Sequence, residues 1–533
     1  MRFLSKKNSL LIIFISTTLI LSGFSVSQNL FAEIQDLYKN QLRKLMNVIH
    51  LAQLYYVEEI DWNEAIEGAI SGMLEKMDPH SVYIPEEKVR KNKENFSGKY
   101  EGVGIKFDII EDQITVISPI QGSPSEQVGI LPGDRIVKID GKTALGLDTE
   151  EVLKRLRGPR GSRVHLSVIR ANDDLIEFSV EREVIPIRTV TTNFKTDDST
   201  GYILVNRFAA TTSTEIEEAL ANLEEKNIER LILDLRNNPG GYLHEAVKVA
   251  GKFIRGHKLI VYTQDRSGET DEEYYSDQFG KRTVRDYPII VLINSGSASA
   301  SEIVAGAIQD YDRGLIVGNN SFGKGLVQKE FNLQDGSAVR ITTAKYFTPL
   351  GRSIQREYKN KRLEEYYSEL EDYHPDESVL AKRPLYITKR LGRSLYGGGG
   401  IMPDIEVEIN QFSEVTKTTK RLLQNRIFFQ FAQTKITEDA KKFKSVQQFL
   451  KASRFNHAYL EKFMEFCQRK RIEIDSEDVV TDKEFLCTKI NAAIAKKIWG
   501  IEGYYFFMLH NDNQFLTAMQ EFGIAAKLAM INR

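Results

Sequence analysis

The stretch Asn294-Ser-Gly-Ser-Ala-Ser-Ala-Ser-Glu302 places a serine at every second position from 295 to 301. A serine becomes a nucleophile when a nearby base takes its proton, and histidine and lysine are the usual bases. The histidines are His50, His80, His165, His244, His257, His374, His457 and His510. His165 reads as a strand residue and His257 as part of a basic loop. Only His244, just past Asn238-Pro-Gly-Gly241, lies in a suggestive place, and it reads better as a polar residue at a helix start. The segment Ser321-Phe-Gly-Lys-Gly-Leu-Val-Gln328 offers a lysine instead. Glycines on both sides of Lys324 permit a tight backbone and close approach. A lysine base must be neutral, and burial lowers its ordinary pKa of about 10.4 by roughly 3–5 units. Gln328, four residues on, can orient the amine without adding charge, whereas a carboxylate there would hold the proton on.

These residues need elements to aim them. Pro288–Asn294 is a short apolar, β-branched run and predicts a buried strand. Ile303, Val304, Ala307 and Ile308 fall at helical spacing, so the serines occupy a strand-to-helix turn. Ser299-Ala-Ser-Glu302 also fits a helix N-cap with a capping-box glutamate, which gives that serine a structural role without chemistry. The same helix start supplies amides that can stabilise an oxyanion. A second source of donors is Asp234-Leu-Arg-Asn-Asn-Pro-Gly-Gly241, which ends one strand and opens a helix.

Around this centre the patterning changes four times. Apolar residues at Leu42, Leu45, Met46, Ile49, Ala52 and Val57 predict an amphipathic helix over Gln41–Val57. Asp61-Trp-Asn-Glu64 has the form of a capping box opening a second helix, which Asp78-Pro79 stops. Glu86–Asn95 reads as a polar linker. Short strands follow at Val103–Ile109, Ile114–Ile117, Arg135–Ile139, Val164–Arg170 and Leu175–Val180. With a helix at Thr149–Leu156 capped by Asp148, they predict a compact, partly open barrel. From Val184 to Gln411 strands alternate with helices, which argues an α/β layer fold, with the charged stretch 356–396 as a surface insertion. The remainder, rich in aromatics, reads as a helical accessory domain without catalytic signals.

Composition narrows the class. A chain of 533 residues needs more than one core, and 41% hydrophobic with 27% charged residues is ordinary for globular proteins. A formal net charge of −2 gives no nucleic-acid footprint. Two cysteines, Cys467 and Cys487, exclude a disulfide scaffold and any zinc-ribbon spacing, and leave one disulfide or two free thiols open. Arg2, Lys6 and Lys7, then an apolar run to Leu21 and small residues to Ser27, describe a signal peptide or an uncleaved membrane anchor. Either implies export.

The assembled pieces resemble the carboxy-terminal processing peptidases, or tail-specific proteases, which are serine–lysine enzymes with a PDZ domain. The matching stretches span most of residues 65–410. They are Met77–Tyr83, Tyr100–Ile105, Gly133–Ile136, Asp234–Gly241, Ser297–Glu302, Phe322–Gly325, Ala344–Pro349 and Gly400–Asp404. The resemblance implies that Ser299 is the nucleophile, Lys324 the general base and Gln328 its helper. It implies an oxyanion hole from Ala300 N–H and a glycine amide at Gly240 or Gly241. It implies a carboxylate-binding loop at Gly102, Val103, Gly104 and Ile105 for the substrate's free C-terminal tail. The implied fold is α/β, a peptidase core related to the crotonase and Clp-protease folds with an inserted PDZ-like module. The expected divisions are a signal peptide or anchor at 1–27, a helical region at 28–96, the PDZ domain at 97–183, the peptidase core at 184–411 and a helical domain at 412–533. The expected function is an exported endopeptidase of the periplasm or cell envelope that cleaves proteins near their C-terminus. The competing reading is a non-catalytic PDZ scaffold or chaperone on a peptidase fold. No cofactor or metal and no nucleic acid is implied. The terminal helices suggest a homo-oligomer, and the N-terminus suggests membrane association.

Overall fold

The computed structural model describes residues 38–531, apart from 171–173, 281, 360, 370–376, 409–414 and 454–457. The basic-then-apolar segment 1–27 lies outside the described residues. The chain divides into two units, Met1–Lys76 and Met77–Arg533. In the first, helix α1 covers 38–55 and α2 covers Trp62–Glu75. The Asp61 carboxylate accepts the amides of Asn63 and Glu64 at 2.9 and 3.1 Å, so α2 is capped where the sequence predicts. α2 ends at Glu75, slightly before Asp78-Pro79. Leu42, Leu45, Met46 and Leu51 of α1 are each about half exposed. Among the described residues, no helix is long and apolar enough to cross a membrane.

The second unit opens with strand β1 (Val82–Ile84) and helix α3 (Glu86–Ser97). The expected polar linker at Glu86–Asn95 is therefore a helix. It buries only Val89, which leaves almost no apolar periodicity to detect. Its punctuation was nonetheless present. Pro85 precedes it, Glu86 and Glu87 occupy the first turn, and Gly98 ends it at φ 71°.

The small β module follows. Its elements are β2 (Lys99–Gly102), β3 (Ile105–Ile110), β4 (Gln113–Pro119), α4 (Pro124–Gln127), β5 (Arg135–Ile139), β6 (Lys142–Thr143), α5 (Thr149–Leu156), β7 (Arg163–Ile169), β8 (Leu175–Glu181) and β9 (Glu183–Pro186). Each strand expected here is present within about two residues of its predicted bounds. The sheet order is β3-β4-β5-β7-β8, with β6 on β5, so β3 is an edge strand. Asp148 caps α5 by accepting the Glu151 amide at 2.8 Å. Val103, Ile114, Val116, Ile136, Val152 and Leu166 form the core of the module.

The α/β core comprises β10 (Val190–Lys195), β11 (Thr200–Val205), α6 (Thr212–Glu225), β12 (Arg230–Asp234), α7 (Leu243–Gly251), β13 (Leu259–Gln264), β14 (Thr270–Tyr275), β15 (Ile289–Ile293), α8 (Ala300–Asp310), β16 (Leu315–Gly318), β17 (Leu326–Asn332) and β18 (Ala338–Phe347). One sheet runs β10-β11-β12-β15-β16 and ends on the Ile405–Glu406 strand. Only β10 is antiparallel to its neighbour; the other pairings are parallel. All five residues of β15 are buried, as are all of α8. A second sheet runs β1-β18-β13-β14, with β17 on β18.

A parallel sheet needs cover on both faces. Leu231, Leu233 and Val291 pack with α7 and α8 in one cluster. Ile232, Ile290 and Leu292, pointing the other way, pack with Phe506, Phe515, Phe522 and Leu528. The last helices therefore complete the α/β core, while Phe428, Phe431, Phe449 and Phe463 form a separate core of the C-terminal region. Cys467 and Cys487 are thiols rather than a disulfide, and burial pushes the Cys467 thiol up to about 12.

The stretch 356–396, expected to be a surface insertion, is partly internal. Arg356, Tyr366, Thr388 and Leu395 are buried. Its charges are neutralised locally: Arg393 bonds Asp312 and Asp404, and the Arg356 guanidinium lies 4.1 Å from the Tyr366 ring centre. Composition registers the charges but not their partners.

Candidate active site

Three neighbouring parallel strands deliver three loops to one place. β15 leads into the serine turn. β12, paired with it through Asp234 and Leu292, leads into Arg236–Gly241. β16, paired through Gly318 and Ile293 on the other side, leads into Asn319–Gly325. The C-terminal ends of such strands are where α/β sheets place their chemistry.

Ser299 sits at the N-cap of α8 with φ 55° and ψ −111°, a conformation that L-residues rarely adopt. Its backbone N–H donates to Glu302 Oε2 at 2.7 Å. The same carboxylate accepts from Ser321 Oγ at 2.6 Å, Gly323 N at 2.7 Å and Lys324 N at 2.9 Å. Glu302 is fully buried, so burial raises its pKa while these bonds pull it back down. The capping-box glutamate expected from sequence thus ties the serine turn to the lysine loop.

The Lys324 amine donates to Gln328 Oε1 at 2.8 Å, and Gln328 Nε2 donates to the His80 carbonyl. Burial first, then the charge of Arg340, lowers the Lys324 pKa to about 8, with Glu302 and Asp78 opposing. Among the described hydrogen bonds, none joins Lys324 Nζ to Ser299. Tyr346 OH donates to the Lys324 carbonyl and reaches the Ser299 side chain.

Gly240 is placed against the serine: a Cβ on it would lie 2.8 Å from Ser299 Cβ and 2.9 Å from Ala300 N. Its own N–H, expected to face an oxyanion, donates instead to Asn238 Oδ1 at 2.9 Å. A buried amide takes whatever acceptor is within reach. Gly241 bridges to Phe208, and a Cβ there would strike the Phe208 carbonyl at 1.9 Å. Ala300 is the first residue of α8, with its N–H at the positive end of that helix.

His244 does not join this group. Its described contacts are Tyr242, Phe279 and Glu245. His80, which no motif in the sequence singles out, lies at this site instead. It is buried beside Phe322 and Tyr366, and burial, then the Lys324 charge, lowers its pKa to about 4. Asp78 holds the turn by accepting from the amides of His80 and Ser81 at 2.8 and 2.9 Å. Asp78-Pro79, read as a helix stop, was the available signal.

In the β module, Gly104 has φ 79°, and a Cβ would lie 2.3 Å from Ser123 Cβ. The carbonyls of Val103 and Gly104 turn inward, accepting from Ser125 Oγ at 2.6 Å and Ile120 N at 2.8 Å. In a trans peptide this turns the N–H groups of Gly104 and Ile105 the opposite way. Gly102 bridges Arg157. Ile105, Val152 and Leu156, beside this loop, are 8%, 0% and 4% exposed and belong to the apolar core of the module.

Residues 199–361 match Peptidase family S41, residues 115–170 a PDZ domain, and residues 22–88 the activating protease CtpB N-terminal domain. Residues 418–500 match a family of unknown function. A carboxy-terminal-processing protease of Bartonella bacilliformis is 37% identical over 348 residues, 64% of this chain and 78% of that one. The carboxy-terminal processing protease CtpA of Bacillus subtilis is 34% identical over 319 residues, 60% of this chain and 67% of that one. A solved photosystem II D1 C-terminal processing protease is 26% identical with a TM-score of 0.35, covering 68% of this chain and 86% of that one. With a PDZ domain ahead of an S41 peptidase core, and with relatives matched over most of their own length, the chain belongs to the carboxy-terminal processing peptidases and is a serine-type peptidase.

Proposed function

We propose that Ser299 and Lys324 form the catalytic dyad of an exported endopeptidase, and that the PDZ domain presents the substrate's free C-terminal tail to it. The observation that carries this reading is the shared Glu302 carboxylate, which fixes the backbones of both residues, while the lysine amine faces a neutral amide. In the neutral form Lys324 takes the Ser299 proton as Oγ attacks the scissile carbonyl. Ala300 N–H receives the developing oxyanion at the α8 N-terminus. Gly240 becomes the second donor by exchanging Asn238 Oδ1 for that oxyanion; Gly241 is the alternative. Protonated Lys324 then gives its proton to the leaving amine, and water, deprotonated by the Lys324 amine now neutral again, releases the acyl group. Gln328 keeps the amine aimed throughout.

The working divisions are those expected from sequence: a signal peptide or anchor over 1–27, helices over 28–96, PDZ domain over 97–183, peptidase core over 184–411 and helical domain over 412–533. The half-exposed apolar side of α1 supports a homo-oligomer, and the basic-then-apolar start supports export to the periplasm or cell envelope. A chain lacking residues 1–27 should be soluble and active; an insoluble product from it alone would show the segment misread. Ser299→Ala should abolish peptide cleavage with the melting temperature preserved. Cleavage at a comparable rate would leave the scaffold reading, or another nucleophile, in its place.

A further inference from the structure

The helix Asn513–Gln520 belongs to the C-terminal region, outside the stretch that matches the peptidase family. Its N-cap, Asp512, accepts the Phe515 amide at 3.0 Å. The same carboxylate reaches Arg236 Nη1, at 2.9 Å from Oδ1 and 2.7 Å from Oδ2. Gln514 Oε1 accepts from that Nη1 at 3.1 Å. The other side of the guanidinium is held by Asp234, with Nη2 to Oδ2 at 2.6 Å, and Tyr202 OH donates to the same carboxylate at 2.7 Å.

Arg236 opens the loop that runs to Gly240. The next residue, Asn237, exchanges two bonds with Asn294 at 2.8 and 3.0 Å, and Asn294 begins the serine turn. Gln514 Nε2 donates to Asn319 Oδ1, on the loop that leads to Lys324. One helix end therefore grips both loops that flank Ser299.

We infer that Asp512 and Gln514 are positioning residues for the reaction, so that the C-terminal helical region sets the geometry of the glycine loop and the lysine loop. This rests on the Ser299–Lys324 reading. The Asp512–Arg236 pair is shielded, with side chains 24% and 14% exposed, so it is screened less than a surface pair. Losing its charge releases one side of the Arg236 guanidinium while Asp234 keeps the other, and so loosens the loop that Arg236 opens. Displacements of about 1 Å near a reacting centre cost up to roughly 100-fold in rate.

The test uses the full chain and one peptide substrate, with a peptide boronate of the same sequence as a tetrahedral-adduct probe. Asp512→Asn keeps both volume and a good N-cap, so the helix start is retained. It should lower kcat roughly 10- to 100-fold, leave KM within about twofold, and weaken the boronate by a similar factor to kcat. Asp512→Glu should recover most of the loss. Gln514→Met, which removes both amide bonds at similar volume, should act in the same direction and serves if Asp512→Asn fails to fold. Wild-type kcat and wild-type boronate affinity in the folded variants would overturn the inference, as would a rise in KM alone. Those results would leave the dyad untouched. Cleavage by Ser299→Ala, in contrast, would remove the dyad reading itself.

Discussion

The Glu302 carboxylate accepts the Lys324 backbone N–H at 2.9 Å, through the same oxygen that accepts the Ser299 N–H. Two loops from different strands are thereby registered on one buried group. Glu302→Gln would turn an NH2 toward one set of these donors. Leaving buried donors unsatisfied costs about 1–3 kcal/mol each. The variant should melt lower and lose at least about tenfold in kcat, the lower end of what small displacements at a reacting centre cost. Thermal unfolding and steady-state kinetics check both, and unchanged kcat would show that the shared carboxylate is dispensable.

The pH dependence follows from the lysine. With its pKa lowered to about 8, the ammonium form dominates below that value, and the base is absent. Cleavage should rise through about pH 8 and then level off. His80, pushed down to about 4 by burial, stays neutral through this window and contributes no step there. Gln328→Glu would set a carboxylate beside the amine and favour the charged form, moving the midpoint up by roughly 1–3 units. A profile of kcat/KM against pH decides the matter; a midpoint that stays put or falls would contradict the role given to Gln328.

The serine turn was legible because two strong local signals meet there: the β-branched run before Asn294 and the helical spacing after Ser299. Lys324 was legible from its flanking glycines. Gln328 was named, but its anchor on the His80 carbonyl was not, because those residues are 248 positions apart and joined only by tertiary structure. Glu86–Asn95 reads as a linker in sequence because a helix with one buried residue carries almost no periodicity. Tyr366 and Arg356 looked like surface residues because composition cannot show a charge lying over a ring. The C-terminal helices looked accessory because an aromatic stripe does not say which surface it covers, and here part of it covers the sheet.

Tail recognition should depend on the loop at Gly102–Ile105. If its outward amides hold a carboxylate, amidating the substrate C-terminus removes charge-assisted bonds worth roughly 1.5–3 kcal/mol each. That corresponds to about tenfold weaker binding or more. Cleavage of one peptide with a free and an amidated end should differ by that factor in the intact enzyme. Equal rates would show that this loop does not read the tail.

Gly104→Ala tests the same loop from the protein side. The new Cβ would meet Ser123 Cβ at 2.3 Å in a left-handed backbone. The variant should lose the difference between free and amidated peptides and unfold at a lower temperature, as followed by calorimetry. Retained discrimination would place tail recognition elsewhere.

The central claim is that the Lys324 amine is the base for Ser299, and cleavage of a free-tailed peptide by purified Lys324→Ala measures it most directly. The account predicts no cleavage above background at any pH, with the fold intact by circular dichroism. Substantial cleavage by that variant, at pH 8 or above, would contradict it.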